Sequence, residues 1–250
     1  MPSTAPTLTL SIVSHGHGAM VGALLGDLAN ARGTNLHIVL TLNVPEDESF
    51  LTPYRHLSIT LVRNAHPKGF GANHNAAFCD CHSPYFAIAN PDVRLPATAL
   101  GDLIASFPRQ RAGAIGPLVV NEAHQIEDSA RRFPRALDLL QRYLKRRLGR
   151  SSLPPDYDVQ IAMQKVDWLA GMLILFSTDA YRTVGGFDET YFMYAEDIDI
   201  AKRLERAGYE RWWNTQVHCI HAAQRASHRS FRHFYWHCQS VLRYLYRHGC

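Results

Sequence analysis

Three acids fall within four residues at Glu196, Asp197 and Asp199, at the end of the run Phe187-Asp188-Glu189-Thr190-Tyr191-Phe192-Met193-Tyr194-Ala195. Solvated acids at a helix start would contribute only about a few tenths of a kcal/mol each through the helix dipole. These lie between aromatic residues and an apolar helix face, a poor place for charge that is merely solvated. A carboxylate there stays ionised and can accept a proton from an alcohol. A second candidate is Asn90-Pro91-Asp92, directly after the apolar run Tyr85–Ala89. An acid just beyond a buried strand can hold Mg²⁺ or Mn²⁺ through oxygen while phosphate oxygens and water complete the shell. The plainer reading of the same tripeptide is an Asx-Pro turn that ends the strand.

Two further groups carry weaker signals. In His66-Pro67-Lys68-Gly69-Phe70-Gly71-Ala72-Asn73-His74-Asn75 the Gly-x-Gly lets backbone N–H groups approach an anion, and the helix that follows adds its positive end. His218-Cys219-Ile220-His221 and Cys79-Asp80-Cys81-His82 resemble metal pairs, but neither has the spacing of a closed structural zinc site, and no Cys-x-x-Cys exists. One histidine from 218–221 completing an oxygen-rich metal site with Asp92 suits the pattern better.

The elements that must position these residues alternate. Leu8–Ser14, Leu36–Leu42, Leu57–Val62, Tyr85–Ala89 and Ala114–Val120 read as strands, with helical stretches at Met20–Leu28, Asn73–Phe78 and Leu100–Phe107 between them. That alternation predicts an α/β fold with a mostly parallel, Rossmann-like central sheet flanked by helices. Ligands of such sheets bind in the crevice at the carboxyl ends of the strands, which directs attention to the loops after Ser14, Leu42, Val62 and Ala89. Farther on, about Pro134 to Arg150 reads as a basic amphipathic helix. Asp167–Phe176 reads as a strand, and Thr178–Val184 and Ala195–Ala207 as helices, the latter capped by Gly208. About Arg229 to Tyr246 is a last helix.

The chain of 250 residues is 46% hydrophobic and 19% charged, which excludes global disorder. Its longest run without a polar side chain, Trp168–Phe176, is too short to span a bilayer, and Met1–Thr7 has no basic region leading into an apolar core. A cytoplasmic location with free cysteines is expected. The net charge of +4 is uneven: from Arg211 to Cys250 there are six arginines and no acid. With Phe231, Phe234, Tyr235, Trp236, Tyr244 and Tyr246 interleaved, this composition suits either an anionic headgroup surface or single-stranded nucleic acid.

Taken together, the motifs resemble the inverting glycosyltransferases of family 2, and more narrowly their bacterial rhamnosyltransferase-like branch. The likeness spans about Leu8 to Ser227 and is most specific over residues 166–209, with a Trp-x-x-Gly strand, a Gly-Gly-Phe-Asp-Glu turn and a Glu-Asp-x-Asp helix. Supporting matches are Asn64 with Gly69–Asn73 and Asn75, then Asn90–Val93, then Asp128–Pro134. The resemblance implies a GT-A fold. A catalytic domain would cover 1–210, with a donor half at 1–125 and an acceptor half with the catalytic helix at 126–210. A basic aromatic helical arm would cover 211–250. It implies Asp197 as catalytic base with Glu196 beside it. A Mg²⁺ or Mn²⁺ site would use Asp92 and His221, with His218 second to it. Donor contacts would come from Ser14, His15, Asn43, Asn64, Gly71, Asn75, Asn90 and Asp92, and acceptor contacts from Trp168 and Gly171.

The partners so implied are a nucleotide-diphosphate sugar, with rhamnose favoured, and a saccharide acceptor, lipid-linked or free, used in cell-surface polysaccharide synthesis. Peripheral attachment to the inner face of the plasma membrane follows for a lipid-linked acceptor, and no nucleic acid is expected. Two departures stand out. Relatives usually carry Asp-Asn-x-Ser-x-Asp where this chain reads Leu42-Asn43-Val44-Pro45-Glu46-Asp47, and Asn90 replaces the first acid of Asp-x-Asp. They motivate one alternative, a degenerate donor-binding scaffold. The other, a sugar-1-phosphate nucleotidyltransferase, would need Arg and Lys in the first loop, and His15-Gly16-His17-Gly18-Ala19-Met20 has neither.

Overall fold

A computed structural model describes residues 7–134, 155–222 and 231–249. The expected basic helix beyond Pro134 lies outside the described residues. The chain runs β1 (Leu8–Ser14), α1 (Gly18–Ala29), β2 (Leu36–Leu42), β3 (Ile59–Arg63), α2 (Phe70–Phe78), β4 (Tyr85–Ala89), β5 (Val93–Arg94), α3 (Ala99–Ala105) and β6 (Ala112–Val120). It continues with β7 (Ala130–Arg131), β8 (Met163–Val166), β9 (Trp168–Leu169), β10 (Leu173–Ser177), α4 (Thr178–Thr183), α5 (Glu196–Arg206), β11 (Glu210–His221) and α6 (Phe231–His248).

The main sheet has the order β3-β2-β1-β4-β10-β6-β11-β5, with β8 added to β11, and β7 pairs with β9 apart from it. Its first four strands are parallel, as the alternation predicts. Beyond β4 the sheet is mixed: β10 runs antiparallel to both β4 and β6, and β11 is parallel to β6 but antiparallel to β5 and β8. The sheet is covered on both sides, so β1 is buried on both faces. Leu8, Leu10 and Ile12 enter one apolar cluster, each side chain contributing about 1.5–3 kcal/mol by leaving water. On the other face Thr9 bonds Ser83 at 2.7 Å, and Ser11 bonds His74 Nδ1 at 2.8 Å. Burial lowers the His74 pKa to about 3, so this ring is a neutral structural partner.

One boundary moves. Glu210–His221, which the expected boundary at 210 assigns to a C-terminal arm, is a strand inside the main sheet. Arg211, counted above among the arm's surface charges, is buried. Its guanidinium donates to the carbonyls of Asp167 and Tyr209 at 2.9 and 2.8 Å. Cys79, Cys81, Cys219 and Cys238 are free thiols. Among the described residues no helix is long and apolar enough to cross a membrane.

Candidate functional site

The Asn90–Asp92 turn leaves β4 at the carboxyl edge of the parallel strands, and the short β5 that follows is hydrogen-bonded to the end of β11. That pairing places His221 opposite Val93 and brings residues from distant parts of the chain together. His221 Nε2 lies 3.3 Å from Asp92 Oδ2, and His221 Nδ1 lies 2.7 Å from Glu127 Oε2. Burial by itself would lower the His221 pKa, but the hydrogen bonds and charges of Asp92 and Glu127 outweigh it and hold the pKa up. Asp92 Oδ1 is buried without a hydrogen-bond partner. His218, by contrast, is exposed, and the alternation of the strand turns it to the opposite face from His221. Glu127 carries no linear spacing that would mark it. Only the antiparallel bridge Val120–Ile126 carries it back to the strand end.

The second half of the site begins α5. Asp197 Oδ2 accepts a hydrogen bond from Gly171 N at 3.2 Å, and Oδ1 from Ile198 N at 2.9 Å. Behind it, a cavity of about 10 Å³ is lined by Leu169, Ile174, Phe176 and Ile200 among others. Burial therefore raises the Asp197 pKa, against the pull of those two N–H groups and of Arg131. Glu196 is more deeply buried, at 6% exposure, and its Oε2 has no partner. Burial first and the neighbouring Asp197 second push the Glu196 pKa up to about 8, and burial raises Asp197 as well, so the two adjacent carboxyls oppose carrying two negative charges at once.

The two halves meet at one corner of backbone. Asn90 N donates to Met172 O at 2.9 Å, and the adjacent Gly171 N donates to Asp197. The turn that carries Asp92 and the carboxylate of Asp197 are thus held by consecutive residues.

Several other predicted contacts prove to be internal supports. Asn43 Oδ1 accepts from Lys68 N and Asn64 Nδ2, both at 2.8 Å, and Asn43 Nδ2 donates to Lys68 O and toward His15 Nδ1. Asn64 also donates to Asn73 Oδ1 at 2.6 Å. Asn75 accepts from Tyr181 OH and Phe187 N and donates to Phe187 O and Glu189. These amides hold the 64–75 loop and the Gly186-Phe187 turn through their polar atoms. Gly71 is needed for packing rather than for cradling an anion, because a Cβ there would sit 2.7 Å from Phe187 Cβ. The first N–H of α2, from Phe70, is likewise taken by Phe192 O at 3.0 Å.

Ser14 is buried and accepts from His17 N at 3.1 Å, while His15 and Gly16 beside it are exposed. Trp168 is also buried. Arg131 lies 5.2 Å over its ring, and its indole N–H donates to Arg132 O at 3.0 Å. Arg131, which reaches both Trp168 and the field of Asp197, is the residue that the sequence reading missed there.

Comparison with known proteins follows from this geometry. Residues 5–239 match the family described as Glycosyltransferase like family 2. The chain is 31% identical over 252 residues to rhamnosyltransferase WbbL of Escherichia coli K12, covering 94% of this chain and 91% of that one. It is 35% identical over 130 residues to an N-acetylglucosaminyl-diphospho-decaprenol L-rhamnosyltransferase of Mycobacterium tuberculosis, covering 49% of this chain and 41% of that protein. Among solved structures, a mannosyltransferase of Pyrobaculum calidifontis in complex with GDP-Man and Mn²⁺ superposes with a TM-score of 0.65 at 17% identity. That match covers 97% of this chain and 66% of the other. GalNAc-T7 with UDP, GalNAc and Mn²⁺ gives a TM-score of 0.64 at 12% identity, covering 87% of this chain and 43% of that one.

Proposed function

The chain belongs to glycosyltransferase-like family 2, with the GT-A fold, and on that premise we propose that it transfers rhamnose with inversion from a nucleotide-diphosphate donor to a lipid-linked saccharide. The observation that carries the catalytic part is the shared corner at Gly171–Met172, where Met172 O holds Asn90, two residues before Asp92, and Gly171 N holds Asp197. The sugar is supported by the names of both the Escherichia coli and the mycobacterial relatives, and the acceptor class by that of the mycobacterial one.

In this reading the acceptor hydroxyl approaches Asp197 as its oxygen attacks the anomeric carbon. The carboxylate takes the proton, the new C–O bond forms on one face, and the bond to the diphosphate breaks on the other. The diphosphate leaves with the electron pair. Neutral Glu196 keeps a second negative charge away from the base.

Asp92 and His221 would hold a divalent cation. Among the described residues no set of three or more such side chains forms a metal cage, so phosphate oxygens and water would supply the remaining ligands. A cation held there would neutralise charge building on the leaving diphosphate. The buried, unpartnered Oδ1 of Asp92 and the fixed His221 ring fit that role. A carboxylate on the far nitrogen of a metal-binding histidine typically tunes affinity about 10–100-fold. Glu127→Gln is accordingly expected to weaken Mn²⁺ binding by about that factor, read by electron paramagnetic resonance of free Mn²⁺. Unchanged affinity would remove Glu127 from the site.

A lipid-linked acceptor requires work near an anionic surface. Tyr235, Leu242 and Tyr246 of α6 are 63%, 67% and 93% exposed, and aromatic residues of this kind sit at headgroup level. Arg243 and Arg247 are engaged by the domain, so the attracting charge falls to Arg225, Arg229, Arg232 and the basic residues of 135–150, at about 1 kcal/mol per basic residue near the membrane. The enzyme is expected to float with anionic but not zwitterionic liposomes, with salt weakening the association. Flotation with neither vesicle would refute attachment. The functional reading itself is tested by screening UDP-, GDP- and dTDP-sugars for acceptor-dependent release of nucleoside diphosphate. Pyrophosphate release from a nucleoside triphosphate and a sugar phosphate would overturn it.

A further inference from the structure

The catalytic pair is entered through strained backbone. Tyr194 and Ala195, the two residues before Glu196, have φ of 73° and 65°. L residues rarely adopt this left-handed region, and such conformations persist only where the surroundings over-determine them. Ala195 O accepts the first hydrogen bond of α5, from Asp199 N at 2.9 Å, so the strained pair also sets the start of the helix.

The segment leading into it, Asp188–Ala195, is held from two sides. One side is the 69–70 backbone, through Phe70 N. The other is α6. Trp236 lies 4.7 Å from the Phe192 ring, and Ser240 Oγ donates to Met193 O at 2.9 Å. The Arg243 guanidinium donates to Thr190 O, and that of Arg247 to Asp188. At the end of α6, His248 Nε2 lies 2.8 Å from Asp199 Oδ1. Both of those side chains are fully buried, and the other carboxylate oxygen of Asp199 accepts from Arg203 Nε at 2.7 Å. Residues 236, 240, 243 and 247, with 244 and 248 beside them, follow helical spacing and form one face. The element that composition marks as a basic arm therefore grips the approach to the catalytic acids, and at two arginines it does so with the charge that gave it that appearance.

We propose that α6 is a positioning element for the Glu196–Asp197 pair, with His248 as the positioning residue that acts through Asp199. Docked α6 holds Asp188–Ala195 in its strained course and so fixes the direction of Asp197. Released α6 lets the segment relax. The bonds of α6 given above all reach residues 188–199 and none of them the Asn90–Asp92 turn, so turnover should depend on α6 far more than donor affinity does. The kinetic part of this proposal rests on the transferase reading above.

The test uses the full chain and two variants, His248→Ala and His248→Gln. The glutamine amide can still donate to Asp199. For His248→Ala we expect kcat to fall by at least about tenfold, with the Kd for nucleoside diphosphate within about twofold of wild type, and for His248→Gln we expect most of kcat to return. Hydrogen–deuterium exchange supplies the readout that needs no activity. Amides of 188–195 should exchange faster in His248→Ala than in His248→Gln, with β1 and β2 unchanged. If His248→Ala does not fold, Ser240→Ala, which removes only the bond to Met193 O, takes its place with a smaller change of the same sign in both measurements. Wild-type kcat and wild-type exchange in the alanine variant would overturn the proposal, as would equal losses in both histidine variants. A wild-type enzyme that transfers no sugar would refute the functional reading, and the exchange comparison would still decide the role of α6.

Discussion

Replacing Asp197 with Asn lowers the rate of sugar transfer by about 10²–10⁴-fold, the usual contribution of a positioned general base, while donor affinity changes by no more than about twofold. The amide keeps the size of the carboxylate, and its oxygen can still accept from Gly171 N or Ile198 N, so the corner that braces it is preserved. What it cannot do is take a proton from an attacking hydroxyl. Single-turnover transfer measures the first quantity and calorimetry with nucleoside diphosphate the second. Near-normal transfer would mean that another group is the base. A joint loss of transfer and donor binding would mean that Asp197 holds the structure together instead.

The neighbouring acid should behave in the opposite way. Glu196→Gln is expected to stabilise the protein at neutral and alkaline pH. The carboxyl has an ordinary pKa of 4.5 and a folded pKa of about 8, raised first by burial and then by Asp197. Below pH 4.5 both folded and unfolded chains bind this proton, and no penalty arises. As pH rises the unfolded chain gives the proton up while the folded one retains it, so stability falls across the window from 4.5 to about 8 and levels off above it. Because the group shares its environment with Asp197, a net effect on the order of 1–3 kcal/mol is expected at pH 8. That corresponds to several degrees in Tm for a chain of this size. Glutamine has no charge to lose, and its melting temperature should pull ahead of wild type as pH rises from 4.5 to 8. A constant difference across that range would show that Glu196 ionises freely. Since neutral Glu196 is the working form, the variant should also keep most of its transfer activity, and this separates the two adjacent acids.

Much of this arrangement was legible before the structure. The β-branched runs at Leu8–Ser14 and Leu36–Leu42 gave the parallel strands, and acids crowded by aromatics gave the start of α5. The residues pointed to a histidine of 218–221 beside Asp92 and the family resemblance singled out His221, while Glu127, 94 residues away along the chain, had no signal of its own. The strand Glu210–His221 was missed because Arg-Trp-Trp-Asn-Thr-Gln lacks a clean alternation, and its register shifts between Asn214 and His218. The arginines were read as surface charge because composition cannot show that Arg211 is buried against carbonyls. Asn43 and Asn75 were read as ligand contacts for a related reason. An amide that holds a loop has the same one-letter code as one that holds a nucleotide, and only the count of its satisfied bonds tells them apart. The left-handed course of Tyr194 and Ala195 has no sequence signature, since neither residue is one that favours it.

The stereochemistry of the product tests the central claim most directly. In-line attack assisted by a single carboxylate, with no sugar–enzyme intermediate, requires each transfer to turn the anomeric centre over once. The nucleotide-diphosphate sugar that the donor screen identifies would be incubated with enzyme, Mn²⁺ and a saccharide acceptor, and the anomeric configuration of donor and glycoside compared by NMR coupling constants. The account predicts a product of opposite configuration to the donor, formed by wild type and Glu196→Gln and lost in Asp197→Asn. A product that retains the donor's configuration would contradict it.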